Sequence, residues 1–290
     1  MDVTIIGYGS LMSGLGLSAS GVLRVKEACV VALAGCTRGF AKLSRYGDRF
    51  AMALEMTQPP LAGRVVSPTS LPNGEVETLA LTVPLDDLCR LVKREGYSPD
   101  VIRRLAEMAQ AQGRGLADFL WALHTEAEHD VVQYRRRLFV LTNFTSAHYI
   151  PHPVRLTDAG YALIFLAPGF EGTGSDEVIA VRQQTGVRIL MSTREAWQQK
   201  PNHDQVAYFL YCLLGGVHGI CVRHLLPAVH DDPALVRALT GRLGQTLGGE
   251  VARFLAATGL TPESYRRAFG EPEAALVRSG LKEFLDKGSL

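Results

Sequence analysis

The sequence predicts an α+β protein organised around a mixed sheet or a small barrel. In the first eighty residues, short apolar segments are separated by glycine-containing turns, a pattern typical of successive strands. Helical spacing of apolar residues begins at Leu85 and continues to about residue 130. Strands and helices do not alternate as they would in a parallel doubly wound sheet. A predominantly β first part, interrupted later by helices, therefore favours the α+β class.

The first strand is predicted at residues 3–7, a β-branched run that ends in glycine. The same reasoning predicts strands at 29–33, 40–43, 50–56, 78–83 and 161–166. Residues 134–141 are also interpreted as a strand, which would send the alternate arginines of Arg135-Arg136-Arg137 to opposite faces. A further strand is predicted at 187–191.

Helices are predicted where leucines and other apolar residues recur at intervals of three and four. The first covers 85–95, and the next begins at Pro99 with Ser98 as its N-cap. The helix from Pro99 is followed by another, whose apolar stripe is Leu116, Phe119, Leu120 and Leu123. These two helices form a helical insertion at about 98–130. From residue 202 the chain is predicted to be helical. We expect residues 1–232 to form the main domain and residues 233–290 to form a C-terminal helical extension packed on it.

Composition argues against several classes of function. With 30 basic and 29 acidic residues, the chain has no global field to hold nucleic acid or an anionic membrane. Five widely spaced cysteines without a CxxC pair indicate neither a disulfide framework nor a structural zinc site. The N-terminus lacks the basic region of a signal peptide, and the most apolar window, 206–222, is too short for a membrane span. A cytoplasmic protein is expected.

The first candidate motif is Gly7-Tyr8-Gly9-Ser10-Leu11, directly after the first strand. Glycines allow close approach of the backbone to a ligand, and successive N–H groups in such a turn bind a carboxylate or an oxyanion. The alternative is a tight turn whose glycines serve geometry alone. The motif does not match the dinucleotide-binding fingerprint G-x-G-x-x-G, because Met12 stands in place of its third glycine. A serine nucleophile elbow is also excluded, because Tyr8 and Met12 occupy its glycine positions.

The second candidate motif is the helix that ends at Arg94-Glu95-Gly96-Tyr97. Glu95 lies on the same predicted helix face as Leu88 and Leu91. A carboxylate on an apolar face has a raised pKa, which suits a general acid or base. The alternative is a structural glutamate paired with an arginine.

The combination of these two motifs resembles the γ-glutamylcyclotransferase-like superfamily. The resemblance covers about residues 3–97 and 131–222 and is interrupted by the predicted insertion. Other segments resemble family motifs in the same order: Gly35-Cys36-Thr37-Arg38-Gly39-Phe40, then Pro201-Asn202, Tyr208, Gly215 and Gly216.

The resemblance implies a small mixed β-barrel flanked by helices, with a cavity lined by the Tyr-Gly-Ser-Leu loop. It assigns substrate binding to Tyr8, Gly9, Ser10 and Leu11, and acid–base catalysis to Glu95. Tyr134 matches a substrate-contacting tyrosine. The implied reaction converts a small γ-glutamyl compound into 5-oxoproline and a free amine, without a metal or another cofactor.

The sequence leaves several alternatives open. Relatives act on different γ-glutamyl compounds, and the same pocket could transfer an acyl group to an outside amine. A non-catalytic binding module on this fold is the third alternative. The insertion and the C-terminal extension could mediate homodimerisation. His124 and His129, five residues apart, do not share a helix face as a zinc-binding pair would.

Overall fold

A computed structural model of the chain describes residues 1–22, 24–43, 50–66, 75–94, 97–143, 149–157, 160–166 and 255–259, together with 261 and 263. The described residues belong to two compact units. The first unit contains the described residues within 1–8, 20–39 and 53–166. The second contains those within 9–19, 40–52 and 255–263.

The described strands belong to two sheets. A closed barrel has the strand order β1-β6-β2-β5-β7-β8, and β3 pairs with β4 in a separate two-stranded sheet. Their bounds are β1 (Asp2–Gly7), β2 (Glu27–Ala34), β3 (Cys36–Leu43), β4 (Phe50–Met56), β5 (Ala62–Val65), β6 (Val76–Pro84), β7 (Ile150–Thr157) and β8 (Gly160–Leu166).

The barrel is mixed because it contains both antiparallel and parallel ladders. β1 is antiparallel to β6 along its whole length, from Asp2 opposite Pro84 to Gly7 opposite Leu79. β2 is antiparallel to both β6 and β5, and β7 is antiparallel to β8. Parallel ladders join β1 to β8 and β5 to β7. The prediction of an α+β fold with a small mixed barrel is therefore confirmed.

Close packing limits side-chain size at Gly63 on β5. A Cβ at this position would lie 2.9 Å from side-chain atoms of Leu33 and Val31 and 3.0 Å from Leu156. Since Leu33 and Val31 belong to β2 and Leu156 to β7, Gly63 allows these strands to approach each other.

Helices follow β1 and separate β6 from β7, and their bounds agree with most of the predicted positions. Pro99 begins the third helix, as predicted, and the apolar stripe of the fourth is buried. Residues 10–12 form a single 3₁₀ turn, and residues 255–258 are helical. The helices are α1 (Gly14–Ala19), α2 (Leu85–Arg94), α3 (Pro99–Ala111), α4 (Leu116–Glu126) and α5 (Val131–Thr142).

The predicted strand at 134–141 is wrong, because these residues belong to α5. The Asp130 side chain caps the helix by accepting a hydrogen bond from the Gln133 N–H, and Asn143 ends it in the left-handed region. The buried residues recur at helical spacing: Val131, Tyr134, Leu138 and Thr142. Arg135, Arg136 and Arg137 consequently follow one another around a helix.

Other predictions fall outside the described residues. These are the strand at 187–191, most of the helices after 202, and the boundary between the main domain and its C-terminal extension. Within the described part of the chain, no helix is long and apolar enough to cross a membrane.

Asp87 anchors the start of α2. Its side chain is fully buried, and Oδ2 accepts a 2.8 Å hydrogen bond from the Arg24 backbone N–H. Oδ1 lies 3.1 Å from the guanidinium groups of both Arg24 and Arg90. This carboxylate therefore fixes the segment before β2 to the first turn of the helix that leads to Glu95.

We expect Asp87→Asn to lower the free energy of unfolding by about 2–3 kcal/mol, because it weakens a buried, charge-assisted network. Asp100→Asn is the matched control. Asp100 also lies 3.1 Å from an arginine three residues later, Arg103, but its side chain is 89% exposed, so a loss below about 0.5 kcal/mol is expected. Urea denaturation of both variants measures the difference. Equal losses would contradict the anchoring role of Asp87.

Candidate functional site

The candidate site lies at the end of the barrel where β1 and β8 finish and β7 starts. Ile5 pairs with Leu163, and Ile6 with Ile164, in the parallel ladder between β1 and β8. Tyr8 follows β1 and is buried. Its hydroxyl donates a 2.7 Å hydrogen bond to the carbonyl oxygen of Phe165. A side chain thus extends the contact between β1 and β8 beyond their backbone ladder.

Tyr134 reaches the same position from α5. Its hydroxyl donates a 2.8 Å hydrogen bond to the carbonyl oxygen of Pro151, and Pro151 is the cross-strand partner of Phe165. The hydroxyls of Tyr8 and Tyr134 thus each supply a donor to one carbonyl of this cross-strand pair. Tyr8 and Tyr134, which are 126 positions apart in the sequence, therefore bind the backbone of the same cross-strand pair.

Tyr97, two residues after Glu95, belongs to the same region. Its N–H donates to the Val92 carbonyl at 2.8 Å, and its side chain is buried. Burial raises the pKa of Tyr97 to about 12. Burial also raises the pKa of Tyr134 well above its usual value, and the nearby Tyr97 adds to that effect. Both phenols therefore remain neutral in the physiological pH range.

The rest of the predicted loop has a defined local structure in the second unit. The Met12 N–H donates to Gly9 O at 3.0 Å, and the Ser13 N–H donates to Ser10 O at 3.3 Å. Ser10 is buried and Leu11 is half-buried. A Cβ at residue 16 would lie 1.8 Å from Ser10 O, so this turn requires Gly16.

The structure therefore binds Tyr8 and Tyr134 to one pair of strand residues, and it describes Gly9, Ser10 and Leu11 in the second unit. Glu95, the predicted acid–base residue, lies outside the described residues. Tyr134 is fully buried and donates to the backbone, which gives it a structural contact. Substrate contact by these residues stays a prediction, as does the anion-binding nest.

Sequence reasoning missed a group of imidazoles beside this region. His124 Nδ1 lies 2.9 Å from His129 Nδ1, although five residues separate them. The two residues meet because α4 ends at Glu126 and the chain turns back through positive φ angles at Glu128 and His129. The His129 N–H then donates to His124 O at 3.0 Å. Positive φ values in residues other than glycine cannot be deduced from helical spacing.

No protein-family model, characterised protein or solved structure matches this chain. The described residues also contain no group of three or more histidine, cysteine, aspartate or glutamate side chains arranged to hold a metal ion. The barrel, its tyrosine contacts and the sequence motifs are consequently the basis for a functional proposal.

Removing either hydroxyl should destabilise the barrel, because a buried carbonyl would lose its donor. We expect Tyr8→Phe and Tyr134→Phe each to lower the free energy of unfolding by about 1–3 kcal/mol. Because the two carbonyls belong to one residue pair, the double variant should depart from additivity by about 0.5 kcal/mol or more.

Thermal and urea denaturation of the four members of this cycle measure the coupling. Tyr161→Phe is the control, since Tyr161 is half-buried and its ring stacks on Trp121 with centroids 5.1 Å apart. Additive effects of Tyr8→Phe and Tyr134→Phe would mean that the two hydroxyls act independently.

Proposed function

We propose that this protein is a γ-glutamyl cyclotransferase-type enzyme that acts on a small γ-glutamyl amide or peptide. The observation that carries the proposal is that Tyr8, from the Tyr-Gly-Ser-Leu motif, and Tyr134 both bind the Pro151–Phe165 pair of a closed mixed barrel. Tyr97, from the Arg-Glu-Gly-Tyr motif, lies close enough to Tyr134 to help raise its pKa. Two of the three segments are thus bound to one strand pair, and the third lies near Tyr134.

The proposed reaction uses the substrate's own nucleophile. The α-amine attacks the γ-carbonyl carbon, a new C–N bond closes a five-membered ring, and the original amide C–N bond breaks. The products are 5-oxoproline and a free amine. Intramolecular attack by a held, bent conformer can reach effective molarities of about 10⁵ M or more, so the protein need not supply a nucleophile.

The protein's task in this proposal is proton transfer and charge stabilisation. Glu95 takes a proton from the α-ammonium group and delivers one to the leaving amine. Backbone N–H groups of the loop containing Gly9, Ser10 and Leu11 stabilise the oxyanion that develops on the γ-carbonyl. Ser10 contributes a hydroxyl for substrate binding. No metal ion or organic cofactor takes part in these steps.

Tyr8 and Tyr134 have a second task in the proposal. Each donates its phenolic hydrogen to a backbone carbonyl, so a neutral phenol can offer a substrate only its acceptor lone pairs. An ammonium group is a donor that these lone pairs match. The predicted substrate contacts of the two tyrosines are therefore to the α-ammonium group, before it loses its proton.

Glu95→Gln should reduce formation of 5-oxoproline by about 10²-fold or more, since glutamine cannot transfer the proton. The assay incubates purified protein with a panel of γ-glutamyl peptides, γ-glutamyl amino acids and γ-glutamyl amines and detects 5-oxoproline by mass spectrometry. Glu107→Gln, which changes an exposed glutamate on α3, is the matched control and should retain full activity. Undiminished turnover by Glu95→Gln would exclude the proposed mechanism.

Addition of an outside amine distinguishes cyclisation from acyl transfer. For cyclisation, the yield of 5-oxoproline should not depend on the added amine, because the nucleophile is intramolecular. A new γ-glutamyl amide that increases with amine concentration would instead assign acyl transfer to this pocket. Binding of panel members without turnover would indicate a non-catalytic module.

A further inference from the structure

Three histidines connect α4 to β7. We call His124, His129 and His152 the histidine cluster. The rings of His124 on α4 and His152 on β7 meet edge to face, with centroids 4.6 Å apart. His129, just after α4, makes the 2.9 Å Nδ1–Nδ1 contact with His124. The cluster therefore lies at the interface between a helix of the insertion and a barrel strand.

The hydrogen bonding of this cluster depends on how many protons it holds. A neutral imidazole has one N–H donor and one acceptor nitrogen. The contact between His124 and His129 needs a hydrogen on one Nδ1 and a lone pair on the other, so it persists with no added proton or with one. A second proton on the pair would place hydrogens on both Nδ1 atoms and turn the contact into a repulsion.

The surroundings of the histidine cluster do little to stabilise a positive charge on its imidazoles. His124 and His152 are buried, and within the described part of the chain the Nε2 atom of each has no hydrogen-bond partner. Burial, and then His129, lowers the pKa of His124 to about 4. Burial, followed by His124 and His129, lowers the pKa of His152 well below its usual value.

The titratable groups that face the cluster are neutral phenols and other imidazoles. Tyr134 on α5 lies edge-on to both His124 and His152, and Tyr161 on β8 stacks on Trp121 of α4. The charged side chains described on the neighbouring elements are exposed or half-buried. They are Asp2 on β1, Asp100, Arg103, Arg104 and Glu107 on α3, Asp118 and Glu126 on α4, Glu128 and Asp130 after it, Arg135, Arg136 and Arg137 on α5, and Arg155 on β7.

We propose that the histidine cluster is an acid-sensitive contact, which holds α4 on β7 while its imidazoles are neutral and releases α4 when it takes up protons. Neutral imidazoles are favoured in the folded contact, so its stability is complete above the usual histidine pKa of about 6.5 and is lost as the pH falls from there toward 4. Since the Glu126–Arg137 ion pair joins α4 to α5, α5 is expected to move with α4.

Amide hydrogen exchange between about pH 7.5 and pH 4.5 tests this proposal through the protection factors of α4. Uptake of two protons should lower these factors by about 100-fold per pH unit, and uptake of one proton by about 10-fold. Amides of β2 and β6 should stay protected over the same range. Tryptophan fluorescence is a second readout. The Trp197→Phe variant retains only Trp121 on α4, and its fluorescence should change over the same pH range as the exchange of the α4 amides.

Two variants assign the effect to the cluster. His124→Gln keeps a side chain that can hydrogen-bond to His129 but removes one of the two buried imidazoles, so the fall in α4 protection should drop from about 100-fold to about 10-fold per pH unit. His152→Phe keeps an aromatic ring and should move the midpoint of opening to lower pH by about one unit. His129→Gln, at a half-buried position, leaves both buried imidazoles in place and should keep the steep slope, so it is the matched control.

Several results would overturn the proposal. They are α4 protection that is independent of pH, loss of protection in β2 and β6 in step with α4, or an unchanged slope in a folded His124→Gln variant. None of these measurements requires catalytic activity, so their outcome is independent of the proposed function.

Discussion

Closure of the barrel depends on β1, which has a hydrogen-bonded neighbour on each side. Its antiparallel ladder with β6 covers the whole strand, but its parallel ladder with β8 is described by the two pairs of Ile5 and Ile6. The bond from Tyr8 to Phe165 lengthens this short contact. A residue assigned to substrate binding by its motif therefore also stabilises the closure of the barrel.

The same end of the barrel links the fold to the proposed chemistry. Tyr134 binds the residue paired with Phe165, and Asp87 fixes the start of the helix that leads to Glu95. Tyr8, α2 and α5 are thus positioned by buried hydrogen bonds to the barrel or its adjoining segments. Such bonds are costly to break because the partner left behind is a desolvated polar group, which favours a fixed arrangement over an adaptable one.

The sequence was a good guide to strands with strongly apolar or β-branched residues and to helices with a clear leucine stripe. It failed at α5, whose valines, tyrosine and phenylalanine favour strands by composition. The burial of Tyr134 and Leu138 at helical spacing, together with the Asp130 cap, favours a helix over a strand in this segment. It also missed the histidine cluster, since backbone turns with positive φ bring His129 back to His124.

By itself the sequence determined the α+β class, the positions of most described elements and the motifs that suggest γ-glutamyl chemistry. These features follow from local periodicity, glycine and proline positions, and residue type. Only the tertiary structure decided that Tyr8 and Tyr134 bind the paired residues Phe165 and Pro151, and that His124 meets His152. The physical reason is that strand register and barrel closure join residues far apart in the chain, whereas sequence periodicity reports only a residue's immediate neighbours.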